Sequence, residues 1–242
     1  MFDFGREVTG NLAVAESREW LVANGIGGYA SGTIAGHLTR RYHGLLMAAL
    51  QPPLGRTLLL AKLEETVEYD GIYPDNGRFY QLFCNRWGDG SIEPEGYKYL
   101  DRFHLEGTTP VWTFAIGNAL LEKRIWMQHG ANTTYIQYKL IRATGPMTID
   151  ARLLVNYRDY HATTIMDERN VEIHEIENGL SLRLEEDGVP FYLLSESAEI
   201  TPESDWYGDF LLAVKIYRGR RDNNDDHLKA GRIRTPFPLG KA

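Results

Sequence analysis

The residues best placed to do chemistry lie between Trp20 and Leu63. This stretch holds His37, Arg40, Arg41, His43, Arg56 and Lys62, and between Glu19 and Glu64 it has no carboxylate at all. Such a run of donors without acceptors either touches a ligand or pairs with acidic groups elsewhere in the fold. Its glycines are dense. Gly25-Ile26-Gly27-Gly28-Tyr29-Ala30 has the Gly-x-Gly-x-x-Gly/Ala spacing of a dinucleotide loop. That loop also requires a following helix and, about 20 residues on, a carboxylate for the ribose. Neither is present: Ser31, Gly32 and Thr33 are poor helix formers. A phosphate-binding loop fails as well, because Thr33 stands where its lysine must be. The segment reads instead as strand, turn and strand, with glycines that let backbones approach closely.

Metal and acid–base chemistry find little local support. His37 and His43 are six residues apart, which is no common ligand spacing, and neither Cys-x-x-Cys nor His-Glu-x-x-His occurs. His43, between Tyr42 and Gly44, reads as a hydrogen-bonded structural residue. No metal or cofactor is expected. Glu64, Glu65, Asp89, Glu93 and Glu95 are the carboxylates in or near loops. Adjacent Glu64 and Glu65 point to opposite faces of a strand, so they cannot form a glycosidase pair. No catalytic residue is assigned. Aromatic residues make up 12% of the chain, and Trp87, Tyr97, Tyr99, Phe103, Trp112 and Trp126 gather in its middle. They fit β-core and sheet-surface positions, or rings that stack on sugars.

The elements that must carry these residues are strands. Ile149, Ala151, Leu153, Val155 and Tyr157 alternate with Asp150, Arg152, Leu154, Asn156 and Arg158; Leu180, Leu182 and Leu184 alternate with polar neighbours. Asp70-Gly71, Gly117-Asn118, Asn178-Gly179 and Asp187-Gly188 are hairpin signals between such runs. Asp205 to Arg218, the best helical window, reads equally well as a strand. The expectation is an all-β chain: a large antiparallel β-sandwich with at most short helices, formed as one domain over residues 1–242. Residues 222–242, opened by Asp-Asn-Asn-Asp-Asp and closed by Pro236 and Pro238, read as an irregular tail approaching a further domain.

The 242 residues are 43% hydrophobic with a formal net charge of -7, which disfavours nucleic acid and anionic membrane as partners. The longest apolar runs, such as Leu45 to Leu50, fall far short of a membrane span. The N-terminus lacks an apolar signal core, and the single cysteine, Cys84, reads as a buried apolar residue. Together these favour a cytoplasmic location.

Trp20-Leu-Val-Ala-Asn24-Gly-Ile-Gly-Gly-Tyr29-Ala-Ser-Gly-Thr33, followed by Thr39-Arg-Arg-Tyr-His-Gly-Leu-Leu46, resembles the N-terminal domain of bacterial and archaeal-type glycogen debranching enzymes, the amylo-α-1,6-glucosidases. Pro53-Leu-Gly-Arg56-Thr and Leu63-Glu64-Glu65 continue the likeness in order, and weaker similarity reaches Tyr217-Arg218-Gly219. The resemblance implies a β-supersandwich. In that family it precedes an (α/α)6 barrel that holds the catalytic carboxylates and cuts α-1,6 branches of glycogen. A barrel cannot fit within these 242 residues, so the role expected of the chain itself is non-catalytic: contact with α-glucan (glycogen or limit dextrin), docking of the barrel, or both. A free-standing carbohydrate-active enzyme with its own carboxylate pair, or a purely structural interaction domain, are the alternatives.

For the site, Asn24, Gly25, Gly27, Gly28 and Tyr29 are expected to converge with Arg41 and His43 at one end of the sandwich. If residues 40–43 form a strand, alternation puts Arg41 and His43 on one face and Arg40 with Tyr42 on the other. The competing placement buries Arg41 against Glu64 or Glu65.

Overall fold

The computed structural model describes residues 2–70, 78–166, 171–213 and 224–238. Strands dominate the described residues, with short helices at α1 (Arg6–Thr9) and α2 (Leu12–Ala15) and a 3-10 turn at Gly96–Tyr99. Two antiparallel sheets face each other. The smaller contains β1 (Asp3–Phe4), β9 (Leu100–Glu106), β10 (Thr109–Ile116), β11 (Ala119–Met127) and β12 (Thr134–Arg142), paired in that order. The larger contains β2 (Glu19–Ala23), β3 (Tyr29–Thr33), β4 (Gly44–Gln51), β5 (Leu54–Tyr69), β13 (Met147–Asp159), β18 (Asn224–Phe237) and β17 (Glu199–Leu211) in that spatial order, with β6 (Phe79–Gln81) added beside β5. Two annexes complete the fold: the hairpin β7 (Cys84–Arg86) and β8 (Ile92–Glu95), and the meander β14 (Glu172–Ile176), β15 (Gly179–Arg183) and β16 (Phe191–Leu194).

The core lies between the two main sheets. Trp20, Leu63, Val67, Tyr69, Ile149 and Leu153 of the larger sheet meet Phe103, Trp112, Phe114, Leu121 and Ile125 of the smaller. Each such side chain contributes about 1.5–3 kcal/mol by leaving water. Trp112 packs edge-on against Trp20 at 5.2 Å between ring centres, and its indole N–H donates to the Ile34 carbonyl at 3.1 Å, so the ring is buried without stranding its polar atom. Cys84 is buried too. Burial pushes its thiol up to about 11, which makes it inert.

β13 shows how alternation becomes architecture. From Met147 to Leu153 the odd residues are buried and the even ones partly exposed. Register shifts at Leu154 and Val155 then break the period, and Leu154, Val155 and Asn156 are all buried. At this bulge both faces of the strand are covered. The Gly117-Asn118 and Asn178-Gly179 signals mark hairpins between β10 and β11 and between β14 and β15, with Asn178 at φ 64°. Asp187-Gly188 lies in the longer connection between β15 and β16. Gly71 and residues 217–219 lie outside the described residues.

One expectation is overturned. Within 222–242, residues 224–237 are not an irregular tail but a strand, β18, hydrogen-bonded between β13 and β17. Its acidic start reads as a loop by composition. The fold overrides this because Asp225 and Asp226 are buried against an arginine and backbone amides that the sequence does not reveal. Residues 239–242 lie outside the described residues.

Candidate functional site

The glycine-rich turn joins β2 to β3, and Asn24 organises it. Its carboxamide oxygen accepts from the amides of Ile26 (3.0 Å) and Gly28 (2.9 Å). Its carboxamide nitrogen donates to the Ala131 carbonyl and the Asn132 side-chain oxygen, both at 3.0 Å. Asn132 in turn exchanges two hydrogen bonds with the Ala49 backbone, at 3.0 and 2.8 Å. The turn is thereby tied to the β11–β12 loop of the other sheet. Gly27 has φ 102°, and an added Cβ would lie 2.5 Å from the Pro53 carbonyl oxygen. At Gly28 a Cβ would meet Asn24 and Asn132 at 2.5 and 2.7 Å. Gly25 sits equally close to His129. Asn24 and these three glycines are spent on architecture, with Asn24 wholly buried.

The segment 40–43 is a turn, not a strand: the His43 amide donates to the Arg40 carbonyl at 3.0 Å. The alternation expected of Arg41 and His43 therefore does not exist. His43 is buried. Its Nδ1 accepts from the Thr39 amide at 3.2 Å and its Nε2 lies 3.4 Å from Glu19. The His43 hydrogen bond, aided by Arg40 at 2.6 Å, holds the Glu19 carboxyl down at about 2. His43 is a structural residue. Arg41 takes neither expected partner. Its guanidinium donates to the His161 carbonyl, and its own carbonyl accepts from Arg158 at 3.0 Å. Glu64 and Glu65 are engaged elsewhere on opposite faces of β5: Glu64 with Asn85 (2.6 Å) and Arg152 (3.3 Å), Glu65 with Lys123 and the Tyr138 hydroxyl (2.7 Å).

The structure does bring Tyr29 and Arg41 to one place, on the face of the larger sheet that points away from the main core. Tyr29 packs with Leu38 and Tyr160 over a small second cluster of Met47, Leu58 and Ala61. Burial pushes its phenol up to about 12. Tyr160 carries the Arg56 guanidinium 5.4 Å above its ring. Tyr42 meets Tyr160 at 5.6 Å and His161 at 5.7 Å, and its hydroxyl lies 3.1 Å from His161 Nδ1. Arg41 lies beside the Tyr42 ring at 6.0 Å. Tyr42 is 38% exposed, so this cluster reaches the surface.

A buried polar network fixes the loop that supplies Tyr160 and His161. Arg158 donates twice to one Asp225 oxygen, at 3.1 and 2.7 Å, while the other accepts from the Thr164 amide at 2.7 Å. Asn156 binds the Thr164 hydroxyl at 2.7 Å and the Asp226 carbonyl at 2.9 Å. Beside it His227 is fully buried, and burial drives its imidazole down to about 4. Tyr160 and His161 were not anticipated as site residues. The one available signal is a repeated dipeptide: Tyr160-His161 duplicates Tyr42-His43, and each lies close behind an arginine.

The cluster offers aromatic faces and guanidinium donors. The nearby Glu19 is held ionised, which makes it a poor proton donor. Among the described residues, no group of three or more His, Cys, Asp or Glu could hold a metal, and no helix is long and apolar enough to cross a membrane. The arrangement is suited to recognition through rings and donors, within an antiparallel sandwich. The chain belongs to the glycogen debranching enzyme N-terminal family, whose model matches residues 18–242. No curated protein matches it significantly.

Proposed function

We propose that this chain is the non-catalytic accessory domain of an amylo-α-1,6-glucosidase, and that the surface formed by Arg41, Tyr42, Tyr160 and His161 docks an (α/α)6 catalytic barrel in the same polypeptide. The observation that carries the reading is this exposed aromatic–arginine cluster, held rigid from beneath, on a chain of that family. Arg and aromatic residues are the usual anchors of interfaces. The parent enzyme acts on glycogen or limit dextrin in the cytoplasm; the buried, unpaired Cys84 suits a reducing compartment. Tyr29 belongs to the packing beneath the surface, while Asn24, Gly25, Gly27, Gly28 and His43 shape the turns that present it.

The test uses the polypeptide that carries both domains. Arg41→Ala with Tyr42→Ala is expected to lower glucose release from limit dextrin by about tenfold or more, the loss of about 1.4 kcal/mol of docking, with little change in the melting of the domain. Unchanged release would overturn the docking role. Glucose release by the 242-residue chain alone, lost on changing one of its carboxylates, would overturn the accessory reading.

A further inference from the structure

The same face of the larger sheet carries a second feature, away from Arg41 and Tyr42. A groove of about 270 Å³ runs over β5, β13 and β18. Its floor follows from register. Glu64, Arg152 and Arg232 stand in one row across the three strands, and Thr66, Asp150 and Arg234 in the next. Side chains at i and i+2 of a strand share a face, so both rows line the groove.

The two signs are balanced and layered. Glu64, Asp150 and Glu68 are recessed, with side chains 0%, 15% and 20% exposed, while Arg152, Arg232 and Arg234 stand above them at 43%, 50% and 54%. Arg232 meets Asp150 at 2.6 Å through Nε, and Arg234 meets Glu68 at 3.1 Å through one Nη. Each guanidinium has five N–H groups and each carboxylate about four lone-pair sites, so these pairings leave both donors and acceptors over. At the Phe79 end Arg78 also meets Glu68 at 2.6 Å and Asp70 at 3.5 Å, so four carboxylates face four guanidiniums and leave no net charge for a phosphate or a cation to answer.

One rim of the groove is aromatic. Phe79, opposite Glu68 in the β5–β6 register, is 63% exposed at the rim. Outside the lining, half-buried Tyr207 stands beside Glu64 and Arg152 and packs against Trp87 at 5.4 Å. An exposed ring at the rim of a neutral floor rich in both donors and acceptors matches a ligand with apolar C–H faces and a hydroxyl at nearly every carbon.

We infer that this groove binds a neutral polyhydroxylated ligand of the gluco-oligosaccharide class, with Phe79 stacking on a sugar ring and Arg232 and Arg234 donating to its hydroxyls. The inference rests on the proposed function only for the choice of a glucose-based probe. The experiment is calorimetric titration of the whole 242-residue chain with maltotriose. Saturable binding is expected. Phe79→Ala and Arg234→Gln are each expected to weaken it by about tenfold with melting unchanged, since both side chains are more than half exposed. Arg41→Ala, the docking variant, is expected to leave it intact, so the groove and the docking surface fail or stand separately. No saturable binding by the native chain, binding indifferent to Phe79→Ala and Arg234→Gln, or displacement of maltotriose by inorganic phosphate would each overturn the inference.

Discussion

Asn24 spends its whole carboxamide inside the protein: two acceptor bonds to the amides of its own turn and two donor bonds to the loop of the opposite sheet. Removing it strands the buried Gly28 amide together with the groups it serves on Ala131 and Asn132. An unmet buried polar group costs about 1–3 kcal/mol. Asn24→Ala is therefore expected to destabilise the fold by about 2–4 kcal/mol, read as a lower urea midpoint at unchanged slope. Arg41→Ala removes a bond to the partly exposed His161 carbonyl and orphans no buried charge, so it is expected to cost about 1 kcal/mol or less. A reversal of that order would mean that Arg41, not Asn24, is the structural residue. The two lie in one carboxylate-free run of the sequence, yet geometry divides them into scaffold and surface.

Among the elements, those governed by local pattern could be read from the sequence. The alternation of β13 up to Leu153 and of β15, and the hairpins at Gly117-Asn118 and Asn178-Gly179, needed only neighbours along the chain. What could not be read is set by distant partners. Asp225 looks like loop chemistry until Arg158, 67 residues away in sequence, is placed against it. Likewise alternation along a strand would put Arg41 and His43 on one face, whereas the His43–Glu19 and Arg158–Arg41 contacts accompany a turn at residues 40–43. Tyr160 and His161 entered the site only through tertiary packing. This makes β18 a test of the site itself. Asp225→Ala is expected to cost about 3–5 kcal/mol by orphaning buried Arg158. Because Asp225 also caps the Thr164 amide, the change should erase hydrogen-exchange protection there. A fully stable variant with Thr164 still protected would show that the network does not hold the 160–166 loop.

For the whole molecule, the buried network beneath the site sets its response to acid. His227 is wholly buried beside Arg158, Asp225 and Asp226, and burial lowers its imidazole from 6.5 to about 4, with Arg158 and Lys62 acting in the same direction and the two aspartates opposing. Asn156 from β13 and the Phe210 ring from β17 also pack on it. The unfolded chain takes up a proton at this histidine as pH falls through about 6.5, while the folded chain declines it until about 4. The stability that neutral His227 supports is thus whole above pH 6.5 and is lost between 6.5 and 4. A shift of this size corresponds to about 3 kcal/mol. Glu16 and Glu19 act in the next window. Their histidine and arginine partners hold both near 2, so the stability they add is present above about 4.5 and drains away towards 2. Both are partly exposed and screened by solvent, so their share is the smaller. Urea unfolding at pH 7, 5.5 and 4.5 is expected to show a steady fall in stability, and His227→Gln should flatten the part between 6.5 and 4.5 while leaving the lower window in place. An undiminished fall in that variant would move the acid response from this network to His37, whose imidazole is also held below its ordinary value by burial.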